Sequence, residues 1–245
     1  MSSRPLLVGV HGWLLSRKVW RPLEQRWTAG DWSLWCPDLP GFGECSRPAG
    51  LRPTLASYGR WLAVQALERA KGAPIVLMGH SLGASVVLHA AHDLQKQKQN
   101  QCIGVICIAA GGGIYQPRPF QRLRQAGHWA VRLRPTLPIN LGPFQADQRA
   151  AQGLLVNSTC RGAVREIPRL VSELAVPNLW ISGRQDQVME PGYVRHLAGY
   201  SPQHSLTIVE GCGHLPMQSH ADALHDCLQE WLNDHIDFGR SLVKT

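Results

Sequence analysis

Pro74-Ile75-Val76-Leu77-Met78-Gly79-His80-Ser81-Leu82-Gly83-Ala84-Ser85-Val86-Val87-Leu88-His89-Ala90-Ala91 reads as a strand, a sharp turn and a helix. The run 74–78 is apolar throughout rather than alternating, the pattern of a parallel strand covered on both faces. From Ala84 the small residues suit a helix packed closely on that strand. A turn this sharp holds Ser81 in a strained backbone conformation, and glycines at 79 and 83 remove the side chains that would collide across it. Ser81 is therefore a candidate exposed nucleophile. The pattern alone is weak in a chain with 24 glycines, so its partners have to carry the reading.

Those partners lie downstream. Pro177-Asn178-Leu179-Trp180-Ile181-Ser182-Gly183 reads as a buried strand, followed by the polar loop Arg184-Gln185-Asp186-Gln187. Asp186 thus falls just past a strand's carboxyl end. Ser205 to Glu210 is a further strand, leading into Gly211-Cys212-Gly213-His214-Leu215-Pro216, where the glycines let a histidine reach the serine. No acid follows the strand ending near Ala110, and Glu190 is the substitute for Asp186, although its place before Pro191 suits a helix entry. His80 occupies the variable position of the turn, and His11 reads as a structural hydrogen-bonding residue. Upstream, Leu6 to Val10 runs into His11-Gly12-Trp13, and Pro37-Asp38-Leu39-Pro40-Gly41-Phe42-Gly43-Glu44-Cys45 follows the next strand.

In these residues the chain resembles the α/β-hydrolases. The order Ser81, Asp186, His214, each after its own strand, is theirs and differs from the orders of the chymotrypsin and subtilisin groups. The loop from Asp38 is similar to the family's Asp-x-x-Gly-x-Gly-x-Ser segment, with Cys45 in place of the serine. The resemblance spans about residues 5 to 236. It implies a mostly parallel sheet flanked by helices with a short helical cap insertion. It also implies a Ser81-His214-Asp186 triad and an oxyanion hole made by the backbone N–H groups of Trp13 and Leu82.

Strands are expected at 5–10, 33–36, 74–79, 103–109, 177–182 and 205–210, and helices at about 54–70, 82–98, 190–198 and 221–235, with Thr54 capping the first. Residues 111 to 175 break the alternation and carry Pro117, Pro119, Pro135, Pro138 and Pro143. The reading is one catalytic domain: core at 1–114, cap at 115–175, core again at 176–245. A cap helix is expected over Pro119–Arg134, with Phe120, Leu123, Gly127, Ala130 and Val131 near one side and Arg124 and Arg134 intruding.

The formal charge of +8 is concentrated in this cap, where residues 115 to 175 hold nine arginines, no lysine and three acids. No nucleic-acid module accompanies it, so nucleic acid is not an expected partner. Arg118, Arg122 and Arg124 are candidates for pairing with a carboxylate or phosphate of a small-molecule substrate, and Phe120 for its apolar part. The same basic segment allows weak contact with a lipid surface. Seven cysteines without metal-like spacing point to a reducing, cytoplasmic compartment. The first apolar run ends at Val10, too short for a signal peptide, and no run reaches membrane-spanning length.

The resemblance implies a hydrolase acting on a carboxylic ester or thioester, with nucleophile, base and oxyanion donors all supplied by the chain and neither cofactor nor metal. Serine at the turn argues against the dehalogenase and epoxide hydrolase branches, which need aspartate there. Carbon–carbon hydrolysis, pyruvate elimination of the menaquinone-pathway type and a non-catalytic small-molecule receptor remain alternatives. Oligomeric state is open.

Overall fold

Six continuous apolar runs become six parallel strands in the computed structural model, which describes residues 4–27, 31–99, 101–133 and 146–236. They are β1 (Leu6–Val10), β2 (Ser33–Trp35), β3 (Ile75–His80), β4 (Cys102–Ile108), β5 (Asn178–Gly183) and β6 (His204–Val209), in the spatial order β2-β1-β3-β4-β5-β6. Each expected strand is present, its ends within two residues of the expected ones.

Both faces of the sheet are buried, and the pleat divides each strand between two cores. Leu6, Val8, Val10, Ile75, Leu77, Val105, Cys107 and Trp180 face one side, where α2 (Leu55–Ala70) and α3 (Leu82–Lys96) pack. Leu7, Val76, Met78, Ile106, Ile108, Leu179 and Ile181 face the other, against α1 (Arg21–Arg26) and, beyond a short α8 (Pro216–Ser219), α9 (Ala221–His235). Thr54 caps α2 by accepting from the Ser57 N–H, as its residue type implies. Neither α1 nor α8 is anticipated by periodicity, since four to six residues hold less than two turns.

Between β4 and β5 lie α4 (Pro117–Leu133), α5 (Gln148–Ser158) and α6 (Arg161–Ser172), and α7 (Pro191–Ala198) follows β5. Pro117 and Pro119 do not break a helix here: they occupy the first turn of α4, where the backbone N–H has no intrahelical acceptor to lose. Arg134, Pro135, Pro138 and Pro143 lie outside the described residues. The inward face of α4 also differs from the expected one. Gly127 and Val131 are buried and Phe120 and Arg124 half-buried, whereas Leu123 and Ala130 are exposed. Positions 120, 124, 127 and 131 follow the helical period, and the guanidinium of Arg124 is accommodated by donating to the Thr159 carbonyl at 3.1 Å. Core and insertion are joined by the Asp147 N–H to the Gly41 carbonyl (2.6 Å), Leu55 N–H to Asn157 Oδ1 (2.7 Å) and the Arg47–Asp147 ion pair (3.8 Å).

Candidate active site

All of the candidate residues of the core stand at the carboxyl ends of strands. Trp13 follows β1, Ser81 and Leu82 follow β3, Asp186 follows β5 and His214 follows β6. That edge is where an α/β sheet leaves its crevices. Ser81 has φ +53° and ψ −116°, a left-handed conformation that costs a non-glycine residue about 1–3 kcal/mol and that the surroundings must hold. They do so by close packing: a Cβ at position 79 would come within 2.3 Å of the Gly83 carbonyl oxygen, and one at 83 within 2.5 Å of that of Val10. Glycine at both positions is what lets the turn seat on β1.

Asp186 is buried, and its two oxygens are fully engaged. Oδ1 accepts from the N–H groups of Val188 (2.8 Å) and Met189 (2.9 Å), and Oδ2 accepts from Nδ1 of His214 at 2.8 Å. Burial pushes this carboxyl up, but the hydrogen bonds from the His214 ring and from Met189 and Val188 outweigh it and hold it below the usual carboxylate range. An ionised Asp186 fixes the proton of a neutral His214 on Nδ1 and leaves Nε2 as a lone pair. Among the described residues Nε2 has no hydrogen-bond partner, and neither does Ser81 Oγ. Glu190 is exposed and takes no part.

The N–H groups of Trp13 and Leu82 also donate to no acceptor among the described residues. Leu82 opens α3, so its N–H sits at the positive end of a helix. Trp13 is held from the other side: its indole Nε1–H donates to the Ala151 carbonyl of α5 (2.8 Å), and its ring lies beside Gly127 of α4. His11 is structural, donating from Nδ1 to the Gly12 carbonyl (2.8 Å) and accepting from the Leu39 N–H (3.0 Å), and burial lowers its pKa to about 4.

Two histidine contacts escaped the sequence reading. His80, at the variable position of the turn, reaches the His214 carbonyl, and His92 of α3 pairs with Glu173 after α6 (2.9 Å). Neither has a local signal, because each joins residues more than eighty apart. Of the cap candidates, Arg118 and Arg122 are exposed on α4, Phe120 meets Tyr115 edge-on at 5.7 Å, and Arg124 is occupied by Thr159. No cluster of three potential metal ligands occurs among the described residues.

Residues 7–226 match the alpha/beta hydrolase family. The chain belongs to that family. The resemblance drawn from its motifs is thereby confirmed, as is the parallel sheet flanked by helices. Relatives of this hydrolase include the pimeloyl-(acyl-carrier protein) methyl ester esterases of Xanthomonas axonopodis pv. citri, 30% identical over 93% of this chain and 95% of theirs, and of Stenotrophomonas maltophilia, 29% identical over 93% of each. Among solved structures, a thermophilic esterase from Thermogutta terrifontis superposes with a TM-score of 0.76 at 21% identity, covering 94% of this chain and 89% of that one. MenH from S. aureus superposes at 0.72 with 17% identity, covering 97% and 96%. Both structural likenesses concern the fold alone.

Proposed function

We propose that this alpha/beta hydrolase is a serine esterase in which Ser81, His214 and Asp186 form the triad and the N–H groups of Trp13 and Leu82 form the oxyanion hole. The observation that carries the reading is the 2.8 Å hydrogen bond from half-buried His214 to buried Asp186, together with a strained Ser81 and, among the described residues, two uncommitted N–H donors. Ser81 Oγ attacks the ester carbonyl carbon as its proton passes to His214 Nε2, and Asp186 stabilises the imidazolium that forms. The tetrahedral oxyanion is held by the two N–H groups, each worth roughly 3 kcal/mol in the transition state. Collapse breaks the ester C–O bond, and His214 returns its proton to the leaving alcohol. Water, deprotonated by His214, then attacks the acyl carbon, and collapse breaks the acyl–Ser81 bond as His214 returns the proton to Ser81 Oγ, releasing the acid.

The relatives act on a methyl ester of a carrier-bound acyl chain, and the proposed substrate class here is likewise a carboxylic ester of a lipophilic acyl chain. Phe120 is proposed to contact the acyl chain. Exposed Arg118 and Arg122 are proposed to draw in an anionic substrate or carrier, whereas Arg124 is committed to Thr159. Among the described residues no helix is long and apolar enough to cross a membrane. Seven free thiols support a cytoplasmic setting.

The test is hydrolysis of p-nitrophenyl esters from acetyl to dodecanoyl by wild type and Ser81→Ala. Turnover that Ser81→Ala abolishes is expected, with a chain-length optimum that sizes the acyl pocket. Absence of turnover by folded wild type on every ester overturns the reading and returns diketone cleavage, pyruvate elimination and ligand binding to consideration.

A further inference from the structure

The residue before the nucleophile makes a contact that the triad mechanism does not use. His80 ends β3, is 1% exposed, and places Nε2 2.8 Å from the main-chain carbonyl oxygen of His214, with the two rings 4.8 Å apart and inclined at 59°. A carbonyl only accepts, so His80 carries its proton on Nε2 and donates it. Its Nδ1 is buried without a partner, facing Gly12, where an added Cβ would fall 2.9 Å away.

That asymmetry is informative. An imidazole used only to fill space here would be at a disadvantage against an apolar ring, because it leaves one nitrogen dry and unbonded. What it gains is a single hydrogen bond, and that bond goes to the catalytic base. The loop bearing His214 has glycines at 211 and 213 and is held by the Gln185 N–H on the Cys212 carbonyl, by Asp186 on the ring and by His80 on the carbonyl. β3 in contrast lies inside the sheet, its register carried to β4 by the pair His80–Ile108 and by the Ser81 N–H on the Ile108 carbonyl (2.8 Å).

We infer that His80 is a positioning residue that ties the general base to the nucleophile's own strand, so that one side chain adjacent in sequence to the serine takes part in setting the separation of Ser81 and His214. The inference rests on the triad reading above. Burial lowers the pKa of His80 to about 3, so the strut stays neutral, with one fixed tautomer, across the working pH range.

The experiment compares kcat and KM for a p-nitrophenyl ester in wild type, Ser81→Ala, His80→Ala, His80→Gln and His80→Asn, with sites counted by an irreversible phosphonate. Gln places its amide N–H₂ near the position of Nε2, and Asn places its own near Nδ1, where no acceptor lies. His80→Ala and His80→Asn are expected to lose on the order of 10²-fold in kcat per titrated site, the scale of a misplaced catalytic group, with KM within about threefold. His80→Gln is expected to recover at least tenfold of that loss. If His80→Ala does not fold, the Gln and Asn pair still decides. Ester turnover that needs Ser81 but is unchanged in His80→Ala, or Gln no better than Asn, overturns the inference and leaves the triad reading intact. Turnover indifferent to Ser81→Ala removes the triad reading and this inference with it.

Discussion

Asp186 accepts three hydrogen bonds while almost wholly buried, and this makes its charge both stable and consequential. Asp186→Asn keeps the shape but no longer dictates the tautomer of His214, so kcat should fall on the order of 10⁴-fold while circular dichroism stays unchanged. Ser81→Ala and His214→Ala should each remove turnover without lowering the midpoint of thermal unfolding by more than a few degrees. Buried histidines weaken the fold in acid, His89 among them, and His11 and His80 are the most strongly shifted. Burial lowers the pKa of His11 to about 4 and of His80 to about 3, against the ordinary 6.5 of an imidazole in the unfolded chain. The unfolded chain therefore takes up more protons below pH 6.5, and stability falls as pH drops from there toward 4, by up to about 1.4 kcal/mol per pH unit for each histidine. Urea midpoints at pH 7, 5.5 and 4.5 should show that slope, and His80→Gln should flatten it. An unchanged slope in the variant would mean that His80 is not buried neutral.

At the scale of elements, the loop after β1, proposed to carry half of the oxyanion hole, is braced by the insertion as well as by the end of β3. Trp13 donates to α5 and lies against Gly127 of α4, where an added Cβ would fall 2.2 Å from Leu155 and 2.8 Å from the indole. Gly127→Ala should therefore push α4 away and disturb the loop that carries the Trp13 N–H. An overpacked contact of this kind typically costs 1–3 kcal/mol, readable as a lowered urea midpoint, and kcat should fall with it. Trp13→Phe keeps a ring but loses the bond to Ala151, and about 1 kcal/mol of stability should go with it. If both variants retained wild-type kcat, the cap would have no part in setting the oxyanion hole. The Pro117 and Pro119 pair carries a general lesson. Proline in sequence signals the end of one element and the beginning of another equally well, and only the position of the first turn distinguishes them.

For the molecule as a whole, the net charge of +8 is unevenly committed. Arg169 is neutralised by Glu166 and Glu173, and Arg124 is turned to a carbonyl, but Arg118 and Arg122 remain exposed on α4. Charges so placed act on encounter more than on chemistry and are screened by salt. The kcat/KM for an acyl ester presented on an anionic carrier should fall several-fold between low and 0.5 M salt and in Arg118→Glu/Arg122→Glu, while that for a neutral p-nitrophenyl ester stays constant. Equal salt sensitivity for both substrates would remove the cap arginines from recognition.

The chain by itself determined the sheet and the order of the proposed site residues along it. Continuous apolar runs specify strands buried on both faces, and Gly79-x-Ser81-x-Gly83, Asp186 and His214 each follow such a run, so local pattern sufficed for them. Thr54 was legible for the same reason, since a cap is a contact between near neighbours. Three things were decided only by tertiary structure: which side of α4 turns inward, where the indole of Trp13 is anchored, and that His80 holds His214. Each joins groups far apart in sequence, and no periodicity records a contact that exists only after the sheet has brought its strand ends together. Arg124 makes the point most sharply. The sequence places it as a charge intruding on the apolar side of its helix, and only the fold supplies its acceptor, the Thr159 carbonyl 35 residues away.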